Sequence, residues 1–165
     1  MDLKSFLMGL LFVFLWSSAF TSAKILVENS PPLLVLGLRF LLTGSIGVII
    51  YWFFFKKIKI DANSWRFIIS FGIFQNTLYL GLNFLAMNEI DAYLAVIIAS
   101  LLPIFVTIFS YFFRKDKIHL LSIIGIIIGF FGSWVILYPK ITIGLNLYGS
   151  SLCLIAVISL AVATL

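Results

Sequence analysis

Apolar residues run in six long stretches, at 5–23, 31–55, 67–88, 92–113, 120–138 and about 145–165. Short gaps between them hold nearly every charged residue. Each stretch is close to the roughly 20 residues that a helix needs to cross the hydrocarbon core. Lipid offers no water to satisfy an open backbone, so spans this apolar and this long are helices. The pattern predicts an all-α polytopic membrane helix bundle with about six transmembrane helices, each an antiparallel neighbour of the next because the gaps are short.

The gaps alternate in sign. Lys56, Lys57, Lys59, Asp61 and Arg66 net +3, Glu89 and Asp91 net −2, and Arg114, Lys115, Asp116 and Lys117 net +2. Basic loops stay on the cytoplasmic side, which puts the N-terminus inside and Glu28, Glu89 and Asp91 outside. Lys140 then falls outside, a mild violation. A cell-membrane, multi-pass protein is expected. Lys4 before an apolar stretch ending in Thr21, Ser22 and Ala23 has the look of a cleavable signal, but five further spans favour a retained first helix.

Composition agrees. The 165 residues are 63% hydrophobic and 10% charged, with a mean hydropathy of +1.22, whereas soluble domains carry about a quarter charged residues. No stretch is left for a soluble catalytic or nucleic-acid-binding domain. The net charge of +5 follows from the basic loops and calls for no nucleic acid. The single cysteine, Cys153, reads as a small packing residue, and His119 as a loop residue with no metal-ligand cluster around it. Serines in a nucleophile elbow and Walker-type glycine loops are both missing. The expected protein is not an enzyme and has no cofactor or metal site.

Two spacings suggest close helix packing. Ala95, Ala99 and Pro103 recur every four residues, and the proline leaves the Ala99 carbonyl without its usual donor. Gly125, Gly129 and Gly132 form a small-residue stripe on the fifth run. Tyr51, Trp52, Trp65, Tyr111, Trp134 and Tyr138 lie near run ends, where aromatic rings anchor at the headgroup level.

Arg39 is the one charge well inside a run, eight residues past Pro31 and so about 12 Å along the helix. A charge at that depth is costly and a functional candidate by default. It either binds backbone carbonyls, locks two helices, or attracts an anionic solute. Lys24, nearer a run end, can snorkel. Asp2, Glu28, Asp61, Glu89, Asp91 and Asp116 all lie at or beyond run ends, so no carboxylate within the runs serves a midplane proton relay. Ser17, Ser18 and Thr21, then Thr43, then Gln75, Asn76 and Asn83, then Ser100 and Thr107 supply the polar side chains within spans. Gln75 and Asn83 are eight residues apart with Tyr79 between them, a spacing that suits a cavity wall.

Several motifs together resemble the EamA group of the drug/metabolite transporter superfamily. They are Leu15-Trp16-Ser17-Ser18-Ala19-Phe20, Leu38-Arg39-Phe40, Asn83-Phe84-Leu85-Ala86, Leu102-Pro103-Ile104-Phe105 and the three glycines of the fifth run. Asp116 and Lys117 match the acidic and basic positions of a turn common in that family, while Lys115 stands where it usually has glycine. The resemblance implies a ten-helix secondary transporter of small metabolites such as amino acids or drugs, working by alternating access. Its two five-helix repeats would be inverted relative to each other, with the site at their interface. Residues 1–140 then form the first repeat and 141–165 the first helix of a second, so a fragment of a longer permease is expected. The pathway candidates are Trp16, Ser17, Ser18, Arg39, Gln75, Asn76, Tyr79, Asn83, Ser100 and Pro103, with Ala95, Ala99, Gly125, Gly129 and Gly132 for packing. Expected partners are the lipid bilayer, a small-molecule solute, and a second repeat or homodimer partner. The alternative is a non-transporting membrane subunit or lipid-handling partner protein.

Overall fold

A computed structural model describes residues 3–54, 61–143 and 146–165, the side chains at 137 and 140–143 excepted. The expected charges at Asp2, Lys56, Lys57, Lys59 and Lys140 lie outside the described residues. All regular structure among the described residues is helical: α1 (Leu3–Asn29), α2 (Pro32–Phe54), α3 (Ala62–Phe71), α4 (Gly81–Glu89), α5 (Ala92–Ala99), α6 (Leu102–Phe109), α7 (Leu120–Ile143) and α8 (Leu147–Ala163). Wide π-helical turns at Gly72–Leu80 and Ser110–Arg114 continue α3 into α4 and extend α6. Among the described residues, four helical stretches are long and apolar enough to cross a membrane: Leu3–Asn29, Pro32–Phe54, Ala62–Glu89 and Ala92–Arg114. With the further apolar helices α7 and α8, the chain is an all-α polytopic membrane bundle.

The helix ends differ from the apolar runs in physically sensible ways. α1 continues past Ala23 to Asn29, with Glu28 in its last turn at 3.6 Å from Lys24. The third span starts at Ala62 because Asp61 caps it, accepting from the Asn63 and Ser64 amides at 3.2 and 3.4 Å. α7 runs through Pro139 to Ile143 instead of ending at Tyr138. Lys115 takes a left-handed conformation, φ 58°, at the end of the Ser110–Arg114 turn.

The outer surface is apolar. Trp52, Phe53, Phe54, Phe112, Phe113 and Leu121 are among the most exposed side chains, which suits a hydrocarbon surround. The interior is built from α4, α5 and α8. α8 packs against α4, the Gly72–Leu80 turn, α5 and α6, while α1 lies on α4 and α5, and α2 on α4. Ala86, Ala95, Cys153, Ala156 and Ala161 are fully buried there, with Phe84 and Val157 the large side chains between them. Small residues let membrane helices approach closely, and that approach replaces the hydrophobic drive that lipid does not supply.

The tightest approach falls at an unexpected glycine. A Cβ on Gly149 would stand 2.7 Å from Ile90 Cγ2 and 2.8 Å from Glu89 Cβ, so only glycine fits where α8 crosses the end of α4. Asn146 ties the same junction, its amide donating to the Glu89 carbonyl at 3.2 Å while its oxygen caps α8 at the Gly149 amide. The expected stripe at Gly125, Gly129 and Gly132 faces open space, since a methyl added at any of the three would meet nothing within 4 Å. α7 touches the described bundle chiefly through α5, and this face turns away from the described residues.

Candidate solute cavity

Three spans converge on a half-open cavity of about 210 Å³. Trp16, Phe20 and Ala23 come from α1, Arg39 from α2, Gln75 and Tyr79 from the π-helical turn, and Asn83 and Met87 from α4. The spacing of Gln75, Tyr79 and Asn83 does place all three on one wall. A wide turn precedes a normal one between them, because π-helical bonding runs i to i+5. Ser159 of α8 braces that turn by donating to the Phe74 carbonyl at 3.0 Å. Trp16 is held along α1 between Phe12, stacked at 6.4 Å, and Phe20, edge-on at 5.7 Å.

The polar groups of this wall fall into two kinds. Asn83 is buried and engaged: its amide donates to the Tyr79 carbonyl at 2.8 Å, and the Cys153 thiol donates to its oxygen at 3.4 Å. Arg39 and Gln75 instead have no hydrogen-bond or ion-pair partner among the described residues. Lys24 does not simply snorkel. Its ammonium donates to the Met87 carbonyl at 2.8 Å, at the end of α4 where backbone acceptors lack helical donors.

A second cavity, about 600 Å³, lies beyond Trp16 and Gln75, which line both. Ala99, Ser100, Leu102 and Pro103 form its far wall, with Leu160 of α8. The expected continuous face through Ala95, Ala99 and Pro103 is interrupted here. Ser100 and Leu101 form a turn that divides the span into α5 and α6, because Pro103 has no N–H for the Ala99 carbonyl. Ser100 Oγ donates to the Ile97 carbonyl at 2.6 Å and pairs with Ser133 Oγ of α7 at 3.1 Å. Ala95 and Ala99 are buried in the core.

Ser17 and Ser18 part company with their neighbour Trp16. They line a separate groove with Ala92, Tyr93 and Ile136, and their hydroxyls donate to the α1 carbonyls of Val13 and Leu15 at 2.8 and 3.0 Å. Consecutive helical residues point about 100° apart, so one motif cannot face one cavity. Asn76 is half-buried and lines neither of the two cavities that Trp16 shares. Sequence reasoning missed Met87, whose carbonyl accepts from Lys24, and Ser159, the brace on the wide turn. No periodicity signals either one.

The pattern of the EamA-like transporter family matches residues 3–138. A protein of Archaeoglobus fulgidus named as an uncharacterized transporter is 30% identical over 165 residues, covering 98% of this chain and 56% of its own. The uncharacterized transporter YoaV of Bacillus subtilis is 26% identical over 153 residues, covering 90% and 52%. Protein PagO of Salmonella typhimurium is 27% identical over 113 residues, covering 68% and 37%. The chain thus spans about half the length of the first two of these relatives. No solved structure matches it significantly. With that family pattern over most of its length and with its apolar helices, the chain belongs to the EamA-like transporter family and is a multi-pass membrane protein.

Proposed function

We propose that this chain is the substrate-binding half of a secondary permease that moves small metabolites across the cell membrane by alternating access, without chemically changing them. The observation that carries the reading is the cavity where Trp16, Arg39, Gln75, Tyr79 and Asn83 meet from three spans. Concave sites with a few convergent polar groups on a largely apolar lining are how small solutes are held. In this reading residues 1–140 are one repeat, and α8 opens a second, inverted repeat supplied by the same polypeptide or by a second copy. The alternating loop charges support a cytoplasmic N-terminus. Trp16 and Gln75, shared by the two cavities, are the groups a solute passes between them.

The test is gradient-driven flux of labelled metabolites by the full gene product in vesicles. Flux that saturates and falls in an Arg39→Ala variant of normal membrane abundance is the expected result. Absence of flux for every solute class would sink the reading.

A further inference from the structure

Resting on the reading of this cavity as the solute site, we infer that its solute is a small monoanion, a carboxylate on an apolar body, selected over zwitterions and cations. Among the described residues, the cavity wall contains one cation, Arg39, and no carboxylate. A zwitterion would therefore leave its ammonium without a counter-charge. A cation would meet like charge.

Two further observations point the same way. Arg39 and Gln75 both face the cavity with no partner among the described residues, so the guanidinium fork and the amide N–H groups are free to receive an oxyanion. An arginine fork matches a carboxylate with two parallel bonds. A second cation stands behind the same wall, since Lys24 follows Ala23 and donates to the carbonyl of Met87, both of which line the cavity. Glu28, the acid nearest to that lysine, is 3.6 Å from the ammonium and turns to it instead of the cavity. Apart from Asn83, whose amide is engaged by the Tyr79 carbonyl and the Cys153 thiol, the remaining lining is aromatic and aliphatic, with Trp16, Phe20 and Phe84 prominent. That surface suits an apolar body and cannot supply a negative charge.

The experiment uses the full chain in phosphatidylcholine nanodiscs and three labelled probes that share a phenyl ring: phenylacetate, phenylalanine and phenethylamine. Phenylacetate is expected to bind saturably and about tenfold or more tighter than the other two, one charge-assisted pair's worth of discrimination. Arg39→Gln should abolish that preference and Arg39→Lys should restore part of it, with both variants checked for normal melting. Phenylalanine or phenethylamine binding as well as phenylacetate, or no binding by any probe, overturns the inference even if the variants do not fold. Loss of phenylacetate binding when phosphatidylglycerol is added would also overturn it, because Arg39 would then serve a lipid headgroup. Flux of any solute that is indifferent to Arg39→Gln keeps the transporter reading and rejects the anion. Arg39-dependent anion binding with no flux does the reverse.

Discussion

The thiol of Cys153 on α8 donates to the side-chain oxygen of Asn83 on α4 at 3.4 Å, and both residues are essentially solvent-free. With the Ser159 bond to the Phe74 carbonyl, this contact joins the sixth apolar run to the third, here between fully buried side chains. Asn83→Leu removes the hydrogen bond that the side-chain amide donates to the Tyr79 carbonyl and leaves the thiol unmatched, at an expected cost of about 1–3 kcal/mol. Cys153→Ala should cost less, since a thiol is a weak donor. Thermal unfolding in mild detergent, followed by the reaction of Cys153 with a maleimide dye, checks the first variant. Labelling should begin at a lower temperature in Asn83→Leu than in the parent.

Gly149 and Gly129 should respond oppositely to alanine. The new methyl at 149 meets Ile90 and Glu89 at under 3 Å, and such overpacking costs about 1–3 kcal/mol. At 129 it meets open space, so helix propensity dominates and the change should be neutral or stabilising by up to about 1 kcal/mol. Melting curves of the two variants in detergent decide this. A large loss at Gly129→Ala would mean that the stripe packs against a partner.

Lys115→Gly should stabilise the protein. Lys115 holds a left-handed conformation at φ 58°, which costs a side-chain-bearing residue roughly 1 kcal/mol and glycine almost nothing. The turn keeps its bond from the Asp116 amide to the Ser110 carbonyl at 3.3 Å. The expected gain is about 0.5–1 kcal/mol, reduced by the extra backbone freedom that glycine brings to the unfolded chain. A lower melting temperature would contradict it.

Asp61 lies at the head of the third span, and the hydrogen bond from the Ser64 hydroxyl, helped by the amides of Ser64 and Asn63, holds its carboxyl below the usual carboxylate range. Its folded value is thus lower than its unfolded one. The cap's contribution is fully present above the unfolded value and disappears as the pH falls through the folded value. Ser64→Ala should move the Asp61 titration upward, read by carboxyl-carbon NMR of the labelled protein in micelles. An unchanged midpoint would remove the hydroxyl as the cause.

Pro103→Ala should separate stability from transport. Alanine restores an N–H for the Ala99 carbonyl and lets α5 continue into α6, so melting should stay equal or rise. The break also shapes the wall of the larger cavity, where Ala99, Ser100 and Pro103 sit together. Flux by the full gene product should fall in this variant if the wall guides solute, and unchanged flux would make the break a packing feature only.

Much of the architecture was legible in the chain because the constraint behind it is one-dimensional. A bilayer demands about 20 apolar residues per crossing and expels charge to the ends, so run lengths and gap charges report spans directly. The wall of Gln75, Tyr79 and Asn83 was legible too, since residues four apart share a helix face. Other features depend on which helix lies opposite, and that is a property of three-dimensional packing. Tertiary structure made Gly149 the close contact and left Gly129 open. It also sent Ser17 and Ser18 to a different groove from Trp16, and it gave Asn83 a thiol partner while Arg39 and Gln75 face the cavity with no partner among the described residues. Sequence alone determined that a costly charge sits within the second span. Only the packing of α1, α2 and α4 decided that this charge, still exposed, lies on the wall of a cavity, because a cavity is made by neighbours that are distant along the chain.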